Sequence, residues 1–238
     1  TGFKIVFSYE GYSLLKWKSK KKLLINDELA LLLTTSGSTG SPKLVRISYE
    51  NLESNATSIA QYLSINENER PITTLPMNYS FGLSIINSHL IKGATILLTS
   101  KSLMEKEFWA FLKDQKATSM SGVPYTFEIL KKLRFFRMDL PSLKTLTQAG
   151  GKLSNELIKE FTEFCQQSSN RFFVMYGQTE ATARMSYLPP EYSLKKLGSM
   201  GIAIPKGEFS LIDENGITID SHDIVGELVY KGKNVSLG

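Results

Sequence analysis

Residues 31–48 read LLLTTSGSTGSPKLVRIS, and they join two apolar runs through a loop of small residues. Within it, the nine residues 34–42 are only Thr, Ser, Gly or Pro, and the cation Lys43 follows directly. The run LALLLT (29–34) is typical of a buried strand, and KLVRI (43–47) alternates as a strand does. Loop glycines let backbone N–H groups converge on an anion, hydroxyls donate further hydrogen bonds, and lysine adds a point charge. The stretch therefore indicates either a flexible connection or a strand–loop–strand device that binds phosphate.

The glycine spacing separates this loop from the Walker loop. A Walker loop has four residues between its glycines, then Lys-Ser/Thr, and it enters a helix directly. Here two residues separate Gly37 from Gly40, and Lys43 leads into a strand. The pattern is therefore not that of a P-loop NTPase, and a phosphate bound here would have no helix dipole behind it.

Strands and helices are predicted to alternate after the loop. Ser48 is placed to cap a helix whose apolar residues recur on one face, from Leu52 to Leu63. The predicted strands that follow are PITTLP, ATILLT, ATSMSGV, LKTLTQ and RFFVMY, at 71–76, 94–99, 117–123, 143–148 and 171–176. The predicted helices between them cover 80–91, 104–115, a segment that starts near Pro124, and 153–165. This rhythm predicts an α/β fold with a largely parallel sheet flanked by helices.

The character of the chain changes near Pro189 and Pro190. From Lys196 onward the apolar runs are short, and Asn215-Gly216 is a strong hairpin turn signal. We therefore predict two units, an α/β subdomain over residues 1–190 and a small antiparallel β unit over 191–238.

Composition bounds the remaining possibilities. The chain has 238 residues, a net charge of +5 and one cysteine. Its basic runs at 16–22 and 131–137 are interpreted as solvated faces, and no nucleic-acid signature accompanies them. A single cysteine, Cys165, at an apolar helical position predicts a core residue in a reducing, cytoplasmic protein. No stretch reaches the roughly 18 apolar residues of a membrane span.

The chain has two histidines, and they form no cluster with the single cysteine. His89 lies in a predicted helix and His222 in a polar turn, and neither neighbours a candidate nucleophile. The sequence therefore predicts no zinc site and no Ser-His-Asp triad.

Seven ordered segments resemble the adenylate-forming superfamily, which includes acyl- and aryl-CoA synthetases, luciferase-like enzymes and nonribosomal peptide synthetase adenylation domains. The first motif, TSGSTGSPK (35–43), resembles its phosphate loop, and LPMNYSFGL (75–83) resembles its aromatic substrate gate. GVP (122–124) and AGGKL (149–153) recur in the family in this order. The second motif, MYGQTEAT (175–182), resembles its second nucleotide-binding motif. GSMGIAIP (198–205) and GELVYKGKNVSLG (226–238) resemble the segments that follow.

The resemblance implies a ligase that activates a carboxylic acid with ATP and Mg²⁺. The carboxylate attacks the α-phosphorus, pyrophosphate leaves, and the acyl group passes from the adenylate to a thiol of CoA or of a carrier protein's phosphopantetheine. By similarity, the residues expected to bind nucleotide are Thr35, Ser36, Gly37, Ser38, Thr39, Gly40, Lys43, Gly150, Gly151, Lys152, Tyr176, Gly177 and Thr179. Lys43, Thr179 and Glu180 would be catalytic, with Glu180 holding the metal. Tyr79, Phe81 and Gly150 would line the acid pocket.

The sequence departs from the family pattern at two positions. Leu44 follows the loop lysine where the family often has Gly, and Tyr79 stands where the gate often carries His. Amino-acid-activating members place an Asp near the gate, but Asn78 and Tyr79 offer no such charge. The resemblance therefore implies a fatty, aryl or other non-amino acid.

The family's ribose-binding Asp, hinge, mobile C-terminal domain and N-terminal subdomain have no counterpart in this sequence. The chain also begins at Thr1 rather than at Met. We therefore expect a central portion of a longer ligase that folds, binds ATP or AMP weakly, and adenylates poorly by itself. The alternative is a nucleotide-binding module that has the same scaffold but no ligase activity.

Overall fold

The computed structural model describes residues 3–9, 12–17, 24–35 and 43–238. Over these residues the strands are β1 Phe3–Tyr9, β2 Tyr12–Trp17, β3 Leu29–Thr34, β4 Leu44–Ser48, β5 Pro71–Ile72, β6 Ser119–Gly122, β7 Thr145–Gln148, β8 Arg171–Tyr176, β9 Ser186–Leu188, β10 Ile202–Ala203, β11 Gly207–Ile212 and β12 Glu227–Gly232. The α-helices are α1 Tyr49–Tyr62, α2 Ser80–Leu90, α3 Lys106–Asp114, α4 Pro124–Lys132 and α5 Asn155–Gln167.

A six-stranded sheet in the order β10-β9-β8-β7-β6-β5 organises the molecule. The four strands β5 to β8 pair in parallel, whereas β9 and β10 are antiparallel to their neighbours. The predicted α/β class with a largely parallel sheet flanked by helices is therefore confirmed.

Alternate residues of β8 point to opposite faces of the sheet and into two cores. Phe172 and Val174 enter a core that α3, α4 and α5 supply with aromatic side chains such as Phe108, Phe127 and Phe161. Phe173 and Met175 enter a second core with Ile59 of α1 and Phe81 and Ile85 of α2. The predicted strand RFFVMY is confirmed as β8, and it is buried because both of its faces are covered.

Three strand predictions were only partly correct. PITTLP forms a two-residue strand, β5, and ATILLT contributes one isolated bridge between Ile72 and Leu97. LALLLT forms β3, but only Leu33 of that strand is buried, and Leu32 is 47% exposed. β3 is covered on one face only, because it lies outside the large sheet, in a separate two-stranded antiparallel sheet with β4.

Ser48 begins α1 as predicted. Its hydroxyl accepts a hydrogen bond from the backbone N–H of Asn51, whose side-chain oxygen accepts one from the Ser48 N–H in return. This reciprocal pair satisfies two N–H groups that the first turn of a helix otherwise leaves unpaired.

The order of the strands does not decide whether the chain divides into two units near residue 190. β10 still pairs with β9 in the six-stranded sheet, and the separate antiparallel sheet of β11 and β12 begins at Gly207. The predicted turn at Asn215-Gly216 closes toward a bridge between Ile212 and Thr218, with Gly216 at φ +78°. Within the described ranges, no helix is both long and apolar enough to cross a membrane.

Candidate functional site

A cleft of about 330 Å³ opens at the carboxyl ends of β7 and β8. This is the edge at which open α/β sheets bind ligands. One wall continues from β7, another continues from β8, and the third comes from the segment before β10. The lining consists of Gln148, Gly150, Gly151, Lys152, Leu153, Ile158, Val174, Met175, Tyr176, Gly177, Gly198, Ser199 and Met200.

The cleft has apolar walls and one aromatic ring, that of Tyr176, whose hydroxyl is hydrogen-bonded. Leu153, Ile158 and Met200 supply aliphatic surface, and Tyr176 is half-buried beside them. The Gln178 amide donates a hydrogen bond to the Tyr176 hydroxyl at 2.8 Å, which orients the ring. A narrow apolar slot beside an aromatic face suits a flat heteroaromatic group such as a nucleobase.

Five of the residues predicted to bind nucleotide lie together on this cleft. Gly150, Gly151 and Lys152 come from the AGGKL segment, and Tyr176 and Gly177 come from the second motif. Two motifs that are separated in the sequence by more than twenty residues therefore face each other because β7 and β8 are parallel neighbours.

Gly150 lies directly against the predicted gate. Its φ of +76° favours glycine, and an added Cβ would lie 2.5 Å from the Tyr79 hydroxyl oxygen. Burial raises the pKa of Tyr79 above its usual value, so the phenol stays neutral at physiological pH. Phe81 is only 3% exposed and packs in the core, and the cleft walls formed by the described residues include neither Tyr79 nor Phe81.

The second motif turns back on itself after β8. A Cβ at Gly177 would lie 1.6 Å from the Ala183 carbonyl oxygen, so the returning chain needs glycine at this position. Thr182 and Ala183 both have positive φ, at 54° and 95°. This strained return shapes the short turn that carries Thr179 and Glu180.

Thr179 and Glu180 differ in their surroundings. The Thr179 hydroxyl lies 3.2 Å from the Ser80 hydroxyl at the start of α2, within hydrogen-bond distance. The Glu180 carboxylate is exposed, and its backbone oxygen accepts a hydrogen bond from the Ser236 N–H at 2.8 Å. Thr179 is therefore held through its side chain, and Glu180 is held through its backbone.

The donor set fits magnesium better than a metal held by protein alone. Across the described part of the chain, no three His, Cys, Asp or Glu residues are grouped as metal ligands. Mg²⁺ is usually bound through one or two carboxylates together with substrate phosphates. An exposed Glu180 next to the cleft loop is consistent with that mode.

The first motif is seen only at its two ends. β3 and β4 pair in antiparallel fashion with Thr34 opposite Leu44, and the Thr35 N–H donates to the Lys43 carbonyl at 3.1 Å. The predicted strand–loop–strand arrangement thus has both of its flanking strands, and Lys43 and Leu44 are exposed. Ser36, Gly37, Ser38, Thr39 and Gly40 lie outside the described residues.

The sequence did not identify every residue that builds this site. Gly198, Ser199 and Met200 form the third wall of the cleft, although GSMGIAIP gave no specific role for them. Asn234, 2% exposed, donates hydrogen bonds from its amide to the carbonyls of Ala181 and Arg184 in the returning turn. A contact across fifty residues has no local signal in the sequence.

A family model described as AMP-binding enzyme matches residues 8–238. The 2-succinylbenzoate–CoA ligase of Bacillus licheniformis is 32% identical over 213 residues, which is 89% of this chain and 42% of the relative. The ligase of the same name from Bacillus subtilis is 30% identical over 209 residues, or 88% of this chain and 41% of the relative. The chain thus spans less than half the length of the curated relatives it matches.

Solved structures show the same similarity. O-succinylbenzoate coenzyme A synthetase from Bacillus subtilis in complex with AMP has a TM-score of 0.77 at 29% identity, covering 89% of this chain and 42% of that one. The same synthetase with ATP and magnesium has a TM-score of 0.77 at 27% identity, with 93% and 46% coverage. The N-terminal domain of FACL13 from Mycobacterium tuberculosis, at 21% identity and a TM-score of 0.78 over 92% of this chain and 54% of that one, shares the fold.

Proposed function

The chain belongs to the AMP-binding enzyme family, and we propose that its protein is an ATP-dependent carboxylic acid–thiol ligase that works through an acyl-adenylate. The observation that carries this proposal is the cleft at the ends of β7 and β8, where Gly150–Lys152 face Tyr176 and Gly177. Its apolar walls and aromatic ring suit a nucleobase, and the turn with Thr179 and Glu180 follows directly along the chain.

In the proposed first step, a carboxylate oxygen of the acid forms a bond to the α-phosphorus of ATP. The bond from that phosphorus to the bridging oxygen breaks, and pyrophosphate leaves. The hydroxyl of Thr179 would donate to the α-phosphate, where negative charge builds up. Lys43 and Thr35, with the intervening loop hydroxyls, would hold the β- and γ-phosphates. Glu180 would hold Mg²⁺, which neutralises phosphate charge when it is bound.

In the proposed second step, a thiol sulfur attacks the acyl carbonyl carbon and AMP leaves, which gives a thioester. The relatives named above are CoA ligases, which supports CoA as the acceptor. An acyl carrier protein is the competing acceptor. A cytoplasmic location and the absence of a nucleic-acid partner stay predictions from composition.

The acid is proposed to lack an α-ammonium group. Asn78 and Tyr79 bring no carboxylate to the gate segment, and the half-buried phenol of Tyr79 stays neutral. The relatives are named for 2-succinylbenzoate, an aromatic dicarboxylate, which supports an aryl or acyl acid here. Tyr79 and Gly150 are the proposed pocket residues that touch each other, and the part played by the buried Phe81 stays a prediction.

ATP–pyrophosphate exchange on the intact protein tests the proposal. The acid panel should contain 2-succinylbenzoate, benzoates, medium and long fatty acids, and amino acids as the contrasting group. We expect exchange with a non-amino acid and a loss of at least about a hundredfold in Lys43→Ala, because the lysine charge acts on the leaving pyrophosphate. Arg137 is an exposed cation that lies far from Lys43 in the sequence. Arg137→Met is therefore the matched control and should keep full exchange.

Binding measured without exchange separates the alternative function. If AMP binds the intact protein by calorimetry but no acid supports exchange, the protein is a nucleotide-binding module and the ligase proposal is wrong. The isolated 238-residue chain should bind AMP more weakly than the intact protein and exchange pyrophosphate more slowly.

A further inference from the structure

Gln148 brings a buried polar side chain to the wall of the cleft. It is the last residue of β7 and pairs in register with Val174 of β8, so the two side chains point to the same face of the sheet. Val174 and Tyr176 line the cleft on that face. Gln148 is 1% exposed, whereas Lys152 is exposed and Tyr176 is half-buried. Gln148 therefore lies deep in the cleft rather than at its mouth.

Two backbone carbonyls fix the orientation of the Gln148 amide. Its Nε2 donates to the Gly151 carbonyl at 2.9 Å and to the Ala149 carbonyl at 3.2 Å. An amide nitrogen has two N–H groups, so both are used. Because a carbonyl oxygen only accepts, the amide oxygen cannot take the place of the nitrogen beside these partners. The nitrogen end is thus tied to the AGGKL segment, and the oxygen end is directed elsewhere.

The amide oxygen of Gln148, Oε1, is left as an acceptor. Among the described residues it has no hydrogen-bond partner, and they do not enclose it completely. Since Gln148 lines the cleft and is otherwise buried, the open space that Oε1 meets is the cleft. A ligand can pair with this oxygen only through an N–H or O–H group.

The surroundings of Oε1 make the choice of ligand group costly to get wrong. Leu153, Ile158 and Val174 give the cleft apolar walls. In such surroundings, an acceptor that stays unpaired or meets a second acceptor is penalised more than it would be in water. The purines differ in this respect at their 6-position, where adenine has an amino group that donates and guanine has a carbonyl that accepts.

We propose that Gln148 selects adenine in this cleft, because its Oε1 accepts a hydrogen bond from the 6-amino group of the base. The inference rests on the proposed function, since it takes the cleft to be the nucleotide site. The resemblance assigned no role to Gln148, which precedes the AGGKL segment. Gln148 is thus a specificity-determining residue that also ties its reading oxygen to the loop beside the base.

Three nucleotides that differ at the 6-position test this preference. AMP has an amino group there, purine riboside 5′-monophosphate has a hydrogen, and IMP has a carbonyl. Calorimetric Kd values for the intact protein should rise in that order, with IMP about tenfold to a hundredfold weaker than AMP. The purine loses the hydrogen bond, and IMP brings a second acceptor against Oε1. Equal affinity for AMP and IMP would contradict the proposal. If none of the three binds, the cleft is not a nucleotide site, and the proposed function is wrong as well.

Gln148→Met shows whether this side chain causes the preference, because methionine has a similar length but no amide. The preference for AMP over IMP should fall below about threefold. A purely structural role, through the carbonyls of Ala149 and Gly151, would weaken both nucleotides equally and leave their ratio unchanged, and that result would overturn the proposal. Gln167→Met, at an exposed position near the end of α5, is the matched control and should keep the wild-type ratio.

A crystal structure of the unaltered intact protein with AMP decides the question even if Gln148→Met does not fold. The 6-amino nitrogen should lie within about 3.2 Å of Oε1. A base whose amino group faces solvent, or a Gln148 amide whose oxygen is directed away from the base, would show that another group reads the purine.

Discussion

His89 is a base that the fold keeps neutral, and this makes stability depend on pH. The ring is 4% exposed, and burial, opposed by the bond to Ile85 and helped by the charge of Arg184, lowers its pKa from 6.5 to about 4. The unfolded chain binds a proton at His89 below pH 6.5, whereas the folded chain resists until about pH 4. The stability contribution is therefore complete above pH 6.5 and is lost as pH falls toward 4.

We expect the free energy of unfolding to fall by about 2–3 kcal/mol through His89 between pH 7.5 and 4.5. His89→Gln has no such titration, so its loss over the same range should be smaller by that amount. Urea unfolding of both proteins at the two pH values measures the difference, since carboxylates titrate equally in both. An identical pH dependence in wild type and variant would mean that the buried imidazole is not kept neutral.

Ser80 links the predicted gate to the second motif through its hydroxyl, 3.2 Å from that of Thr179. If Thr179 binds the α-phosphate, Ser80→Ala should leave the Thr179 side chain less well positioned. The value of kcat/KM for ATP should then fall by about fivefold to tenfold, which corresponds to the loss of one hydrogen bond. The Tm should change little. Pyrophosphate exchange at varied ATP concentration on the intact protein is the measurement.

Ser88→Ala is the matched control for Ser80→Ala. Ser88 lies on the same helix and is fully buried, but its hydroxyl donates to the Ile85 carbonyl within the helix. It should leave kcat/KM unchanged. Unaltered kinetics in Ser80→Ala would show that the hydroxyl pair does not position Thr179.

At the scale of elements, the sequence predicts best where a segment is covered on both faces. RFFVMY is buried between two cores, and its hydrophobicity alone identified it. ATILLT is also largely apolar, but its neighbour β5 has only two residues, so one bridge forms instead of a strand. Apolar content thus predicts burial, whereas pairing depends on a neighbouring strand that the local sequence does not specify.

The candidate site divides in the same way. Gly150 and Tyr176 were assigned from the resemblance, and both lie on the cleft because β7 and β8 are parallel neighbours that end at the same edge of the sheet. Arg184, Ser80 and Asn234 were not assigned, since their partners lie about fifty to more than one hundred residues away. Residues within a motif at the end of a strand can be located from the sequence, whereas residues whose partners are distant in the chain depend on tertiary packing.

The first turn of α1 joins local capping to a long-range contact. Asn51 completes the capping pair with Ser48, and its amide also donates to the carbonyls of Lys233 and Val235 at 2.7 and 2.8 Å. Ser48→Ala should cost about 1 kcal/mol of unfolding free energy, the usual value of a cap. Asn51→Ala should cost about 3 kcal/mol, because two carbonyls also lose their donor.

Ser154→Ala is the control for the capping argument, since Ser154 caps α5 without a distant partner. Urea unfolding of the three variants should rank Asn51→Ala as the least stable, with Ser48→Ala and Ser154→Ala similar. If Asn51→Ala is no less stable than Ser48→Ala, the contacts to the segment after β12 do not contribute.

At the scale of the molecule, residues 233–238 hold separate parts together. The Leu237 N–H donates to the Arg46 carbonyl in β4, and the Ser236 N–H donates to the Glu180 carbonyl. The Lys233 ammonium pairs with Glu50 on α1 at 2.7 Å. This segment therefore connects the hairpin that flanks the first motif, the capped start of α1, and the turn of the second motif.

Asn234 is the buried centre of that connection. Its amide nitrogen donates to the Ala181 and Arg184 carbonyls at 2.7 and 3.0 Å, and its side-chain oxygen accepts from the Tyr230 hydroxyl at 2.9 Å. Its backbone oxygen accepts from the Thr182 hydroxyl at 2.7 Å. Because these partners flank the positive-φ residues of the turn, Asn234 should maintain the conformation that presents Thr179 and Glu180.

Replacing the Asn234 donor should weaken both the fold and nucleotide binding. Asn234→Ala leaves two buried carbonyls unpaired and should cost about 2–4 kcal/mol, and AMP affinity should fall about tenfold as the turn relaxes. Asn234→Asp keeps the shape but removes the donor, so it should resemble Asn234→Ala in calorimetric AMP titration. Asn68→Ala, at an exposed position, should behave as wild type. Wild-type AMP affinity in Asn234→Asp would show that the turn keeps its shape without this donor, and the second motif would then be positioned by Gly177 and the strained return alone.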